Sequence, residues 1–209
     1  MRRVALSTLA ATLVAGPVLF AAPAFAAPRA FNVEADHHTV SEASFNSRAA
    51  IVRMTGRTNN ISGNANVDIA DLAHAAGTVN VDLQTLDTGI SMRNEHMKGY
   101  LEAAKYPQAI FKFTSIKLAG NKLTAGKLVD GTATGTLTIH GVTKPISTPI
   151  ELTYLPQGDP KYRAGDWLHF YSQFKIKISD FGIVLPAPVL GPKVSNDLTI
   201  EIDGMAKGK

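Results

Sequence analysis

Alternation of apolar and polar residues with a period of two runs through most of the chain. In WLHFYSQFKIKIS, residues 167–179, Leu168, Phe170, Ser172, Phe174, Ile176 and Ile178 fall on one side, and Trp167, His169, Tyr171, Gln173, Lys175 and Lys177 on the other. That pattern predicts a strand of about a dozen residues with one dry face. TVNVDLQTL sets Val79, Val81 and Leu83 against Asn80, Asp82 and Gln84. GTLTIHG sets Leu137 and Ile139 against threonines and His140, STPIELTYL carries Ile150 and Leu152 in the same phase, and DLTIEIDG closes the chain with Leu198, Ile200 and Ile202. Residues 31–35, 40–45, 50–57, 64–69, 110–118 and 122–128 are further predicted strands.

Eight or more strands joined mainly by short Gly, Asn and Asp turns, with no crossover helices between them, describe an all-β antiparallel barrel or sandwich. The length of the strands favours a barrel. LPAPVLGP, residues 185–192, is too rich in proline for a central sheet and predicts a surface loop or a lid.

One stretch breaks the alternation. In MRNEHMKGYLEAAKYPQAIFKF, residues 92–113, Met92, His96, Tyr100 and Ala104 recur at steps of four, with Met97 and Leu101 beside them. This is the spacing of a helical face. Ser91 is the expected N-cap, Glu95 the expected first-turn carboxylate, and Pro107 the stop. The segment predicts a short helix near residues 91–104, in a long connection that closes one end of a barrel or covers a pocket mouth.

The first residues read as a cleaved export signal. Arg2 and Arg3 precede an apolar core from Val4 to Phe20, and Ala24-Phe25-Ala26 is an A-x-A cleavage site. The expected location is therefore periplasmic or secreted, after cleavage near Ala26, with residues 27–209 as a single domain. No later apolar run reaches the roughly 18 residues of a transmembrane segment. The remaining 183 residues carry 19 basic against 17 acidic side chains, too near balance to indicate nucleic acid. The sequence has no cysteine, so neither a disulfide nor a lipoprotein thioether is available.

Little in the residues points to catalysis or metal. There is no G-x-S-x-G, and an enzyme would need a histidine beside a serine or carboxylate inside a cleft. The adjacent His37 and His38 would point to opposite faces of a strand and make poor paired ligands, so a turn capping the first hairpin is the plainer reading and no metal site is expected. His74, His140 and His169 are isolated in sequence. His96 reads either as a polar contact at a pocket mouth or as a structural histidine ordering the connection.

Three blocks, taken in order, resemble one known family. RNEHMKGYLEAAKYPQAIFKF resembles the R-(N/D)-x-H-(L/M) and Y-P-x-(A/I)-x-F signature of the YceI-like proteins, a lipocalin-like, polyisoprenoid-binding family. GTLTIHGVTKPI, residues 135–146, is similar to its G-x-L-T-(I/L)-x-G-V-T-(K/R)-x-(V/I) block, and KISDFGI, residues 177–183, to its R-x-D-F-G-(I/M). FNVEADHHTVSEASF, residues 31–45, is similar to its first hairpin. Two departures stand out. Asn46, Ser47 and Arg48 replace the Lys-His or Ser-His pair of that hairpin, and Lys177 or Ser179 replaces the arginine before D-F-G.

The resemblance implies a lipocalin-like eight-stranded antiparallel barrel with an elongated apolar interior. The implied ligand is a long-chain amphiphile: a polyisoprenoid, an isoprenoid quinone or a fatty-acid-like lipid. No other cofactor is implied, and a homodimer is compatible with this reading. The expected lining and mouth are Val81, Leu83, Met92, His96, Met97, Phe111, Phe113, Leu137, Ile139, Phe170 and Phe174. A competing expectation is an exported structural or stress-response protein with a side-chain-filled barrel that binds a protein partner.

Overall fold

A computed structural model describes residues 28–33, 41–120, 122–157 and 164–209. The proposed leader and the His37-His38 pair lie outside these residues. Ten strands form one antiparallel sheet: β1 (Arg29–Val33), β2 (Glu42–Arg48), β3 (Arg53–Thr58), β4 (Ile61–Asp68), β5 (Asp71–Asp82), β6 (Gln108–Leu118), β7 (Leu128–Ile139), β8 (Val142–Leu155), β9 (Trp167–Lys177) and β10 (Asp197–Gly208). One helix, α1 (Ser91–Tyr100), sits between β5 and β6.

Ten strands make eight staves. One edge of β10 pairs with β9 along its length, and the opposite edge pairs with β2 over residues 198–203 and with β1 over 206–208. β1 and β2 therefore occupy one stave in two pieces. β3 and β4, separated only by Asn59 and Asn60, occupy the next, since β3 pairs with β2 and β4 with β1. With β5 to β10 the ring closes, and the chain is an eight-staved antiparallel barrel. Closure removes the exposed edges that an open sheet of this size would carry.

The barrel has two unlike ends. At the distal end are the β4–β5, β6–β7 and β8–β9 connections, where Phe31, Val67, Leu72, Leu118 and Leu123 belong to one buried cluster. Arg29 forms an ion pair with Asp166 there, and the Tyr154 hydroxyl donates to the same carboxylate at 3.0 Å. The Asp166 carboxyl is held below its usual pKa, chiefly by the Gln157 amide, which donates to it at 3.1 Å. At the other end, the mouth, lie α1, the β2–β3 and β7–β8 turns and the long 178–196 connection.

Several boundaries differ from the sequence expectation. The predicted strand over 78–86 starts earlier, at Asp71, and stops at Asp82, whose side chain accepts from the Gln84 amide at 2.9 Å and caps a 3-10 turn over Leu83–Thr85. Residues 122–127 are not a strand. Leu123 turns inward, Gly126 adopts a left-handed φ of 70°, and only Ala125 makes an isolated bridge, to Tyr154. The helix ends at Tyr100 rather than near residue 104, because Glu102 takes a left-handed φ of 44° well before Pro107. Its N-cap is Ile90, not Ser91. The cap has no side-chain hydrogen bond, and the first turn contains no acidic residue, so Glu95 stands beyond it. At position 104 the exposed Ala104 contributes nothing to a buried face, whereas Ala103 is buried.

Candidate functional site: an apolar tube with a polar mouth

The barrel interior is not filled. One continuous cavity of about 660 Å³ runs from Val67 and Leu72 near the distal end to Ile90, Met92 and Lys193 at the mouth. The whole alternating face of β9, from Leu168 to Ile176, lines it, and Ile178 just beyond continues it. Ten residue steps at about 3.3 Å, on staves tilted by roughly 40°, correspond to about 25 Å along the barrel axis. An apolar lining over that length suits an extended hydrocarbon chain.

All eleven residues expected from the sequence stand on this wall. Val81, Leu83, Phe111, Phe113, Leu137, Ile139, Phe170 and Phe174 lie along the tube, and Met92, His96 and Met97 sit at the mouth. Alternation located those on the strands because, in a closed barrel, the apolar face of every stave must be the lumen face, and the helical spacing located Met92, His96 and Met97.

Register explains how so many phenylalanines leave the tube open. Phe170 pairs directly with Gly204, Phe45 with Gly56, and Phe113 with Gly77. Directly opposed residues in an antiparallel pair project to the same face, so each ring can lie flat over a partner that has no side chain. The fit is close: a Cβ added at Gly204 would stand 2.3 Å from Cζ of Phe170, and one at Gly56 2.3 Å from Cε1 of Phe45. These glycines keep the rings against the wall and out of the bore.

The interior has one buried hydroxyl pair. Ser172 Oγ donates to the Pro149 carbonyl at 2.7 Å and accepts from Thr148 Oγ1 at 2.9 Å. Both side chains line the cavity. Because the pair is hydrogen-bonded, it carries little desolvation penalty. Ser172 and Lys175 also have the S-x-x-K spacing of a nucleophile and its base, but three steps along a strand place them on opposite faces.

The mouth is ordered by the residues flanking His96. Asn94 Oδ1 accepts from the Thr88 amide at 2.9 Å and from Thr88 Oγ1 at 2.6 Å, and its Nδ2 donates to Asp87 at 2.7 Å. Arg93 Nε donates to Thr88 Oγ1 at 2.8 Å and Nη2 to the Thr88 carbonyl at 2.5 Å. The Asp87 carboxyl is held below its usual pKa, first by the Gly89 amide and then by Asn94. His96 itself is exposed and faces the cavity. The ordering role falls to Arg93 and Asn94, which alternation could not reveal because their partners lie on the preceding loop.

The lid reading of residues 185–192 fits the geometry. Leu185 is buried, and Leu185, Val189 and Val194 line the cavity. Backbone bonds from Ala50 to Gly191 and from Ile51 to Pro192 tie the segment to the β2–β3 turn. Behind the lid, His140 Nδ1 lies 3.2 Å from the Phe181 carbonyl, and Tyr106 packs edge-on to the imidazole at 5.0 Å. The three sequence blocks thus meet at one corner of the mouth. His74 and His169 pair with Asp71 and Asp203 at 2.9 and 2.7 Å, away from the cavity wall.

A profile of the YceI-like domain family matches residues 31–206, nearly all of the described chain. The chain belongs to this family. It is 34% identical over 154 residues to a UPF0312 protein of Vibrio parahaemolyticus, covering 73% of this chain and 74% of that one. It is 38% identical over 136 residues to the protein YceI of Escherichia coli O157:H7, covering 63% and 64%. Among solved structures, a polyisoprenoid binding domain from Saccharophagus degradans, implicated in plant cell wall breakdown, superposes with a TM-score of 0.67 at 21% identity, over 87% of this chain and 99% of that one. That likeness is one of fold. Among the described residues, no helix is long and apolar enough to cross a membrane, and no group of His, Asp or Glu could hold a metal ion.

Proposed function

We propose that this protein is an exported carrier that sequesters a long-chain amphiphile in its barrel, tail in the tube and head at the α1 end. The observation that carries the reading is the cavity: about 660 Å³, lined along its length mainly by apolar side chains. A volume of this size falls within the range of ligand pockets. Burial of hydrocarbon contributes about 0.8 kcal/mol per CH₂, so a tail of a dozen carbons supplies ample gross affinity in a preformed dry bore. The ligand classes that fit are a polyisoprenoid, an isoprenoid quinone or a fatty-acid-like lipid. Membership of the YceI-like family supports the reading, as does the polyisoprenoid binding described for a neighbour of the same fold. The A-x-A site at Ala24-Phe25-Ala26 supports a periplasmic or secreted location.

The test is a titration with a fluorescent polyene fatty acid, followed by displacement with unlabelled prenyl lipids. Ala133, on the tube wall and 1% exposed, is the site for an occluding side chain. Ala133→Phe should abolish uptake while leaving the far-UV circular dichroism spectrum of the barrel unchanged. Undiminished uptake by a folded Ala133→Phe protein would place the lipid elsewhere.

A further inference from the structure

The large apolar side chains left in water are not scattered over the barrel. Among the described residues they are Ile51, Ile90, Met92, Val184 and Leu128. The first four stand at the mouth: Ile51 on the β2–β3 turn, Ile90 and Met92 at the start of α1, and Val184 on the 178–196 connection. Only Leu128, at the start of β7, belongs to the distal end. Single exposed apolar residues need no explanation, but a ring of them around one opening marks an interaction surface.

This exposure is built in. Ile183 and Leu185 are buried on either side of Val184, which is 82% exposed, so the anchoring of its neighbours turns this side chain outward. The Ile51 amide donates to the Pro192 carbonyl at 3.0 Å, which fixes the turn to the lid while the side chain stays 74% exposed. Neither Ile51 nor Val184 lines the cavity, so the tube does not require them to be apolar. The charge of the rim is one-sided. Residues 48–53, 90–93 and 184–193 contain basic side chains and no aspartate or glutamate. Arg48 and Arg53 are directly opposed across β2 and β3, both exposed, and neither forms an ion pair among the described residues. Like charges directly opposite one another destabilise a strand pair, and an anionic surface would relieve that repulsion.

From this arrangement we infer that the mouth end is a membrane-docking face: Ile51, Ile90, Met92 and Val184 enter the interface of a lipid bilayer, and Arg48 and Arg53 meet its anionic surface. Binding of this kind scales with the apolar area buried plus the attraction to anionic lipid. A second copy of this chain fits less well, because contact rim to rim would bring the basic segments together with no acid between them. The face encircles the open end of the tube, so a docked barrel passes an amphiphile between bilayer and bore without exposing its tail to water. The docking face stands on its own observations, while the exchange of cargo through it rests on the carrier reading.

The experiment floats the mature protein in a density gradient with vesicles of phosphatidylcholine, with and without phosphatidylglycerol. Wild-type protein should rise with the vesicles, more so when phosphatidylglycerol is present, and high salt should reduce that excess. The double substitution of Ile51→Ser with Val184→Ser should weaken partition roughly tenfold, whereas Leu128→Ser at the distal end should leave it unchanged. Both variants should take up a fluorescent polyene fatty acid from solution as the wild type does, which shows that the barrel is folded and the tube open. Wild-type protein that stays below the vesicles, or full flotation of the double variant, would overturn the inference. So would a wild-type dimer that the double substitution converts to monomer in sedimentation equilibrium, since the rim would then be the contact between two copies. Wild-type protein that floats but takes up no probe would count against the carrier reading and leave the docking face standing.

Discussion

Gly204 shows how a single missing side chain shapes the tube. With hydrogen at this position the Phe170 ring lies against the wall; a methyl group would require the space that Cζ occupies at 2.3 Å. The ring would have to move, and the free direction is into the bore. Gly204→Ala should therefore cost about 1–3 kcal/mol in stability, as overpacking does, read as a lower denaturant midpoint at unchanged slope. It should also weaken amphiphile binding more than an equally destabilising substitution outside the barrel. Loss of stability with fully retained affinity would show that the ring has another place to go. Thr148→Val tests the hydroxyl pair in the same spirit. Ser172 keeps its bond to the Pro149 carbonyl, so the expected cost is only about 1 kcal/mol.

At the scale of elements, α1 touches the buried clusters only through the partly buried Met97 and Tyr100 and is braced by its loop. None of its residues is buried, so the hydrogen bonds among Asp87, Thr88, Arg93 and Asn94 fix where it sits. Asn94→Ala removes three of them and should cost the connection about 1–3 kcal/mol, seen as faster amide exchange over residues 88–100 with little change in the barrel strands. Uniform exchange across the barrel would contradict this local role. The brace also has a pH signature. The folded-state pKa of Asp87 is depressed, so its contribution is present above the unfolded value of about 4 and is lost as pH falls through the lower, folded value. The Asn94 side-chain amide resonance should hold steady from pH 6 to 4 and shift only below that range. A midpoint above pH 4 would contradict the assignment.

These elements also mark the limit of what the sequence discloses. The lumen face of β9 or β7 is legible because alternation and burial report the same geometry in a closed barrel. The Tyr-Pro stop and the proline-rich lid are legible because proline constrains the backbone locally. The early end of α1 at Glu102 is not, since a left-handed glutamate carries no propensity signal. Nor are the breaks that split two staves into β1–β2 and β3–β4, the coil over 122–127, or the pairing of Phe45, Phe113 and Phe170 with glycines. Those depend on register between strands distant in sequence.

The whole molecule joins these scales. A closed barrel satisfies its backbone in a complete ring of strand pairs, so its lumen need not be packed to hold the fold together, and the buried clusters at the two ends contribute the apolar core. What remains between them is an apolar tube with a mouth braced by Arg93 and Asn94, and the central claim is that this tube carries an amphiphile. The most direct test is native mass spectrometry of the protein produced with its own export signal, followed by organic extraction of whatever it retains. A discrete added mass that extracts as a prenyl or acyl lipid is the predicted result. Protein at its bare sequence mass, still empty after incubation with prenyl phosphates, quinones and fatty acids, would contradict the account.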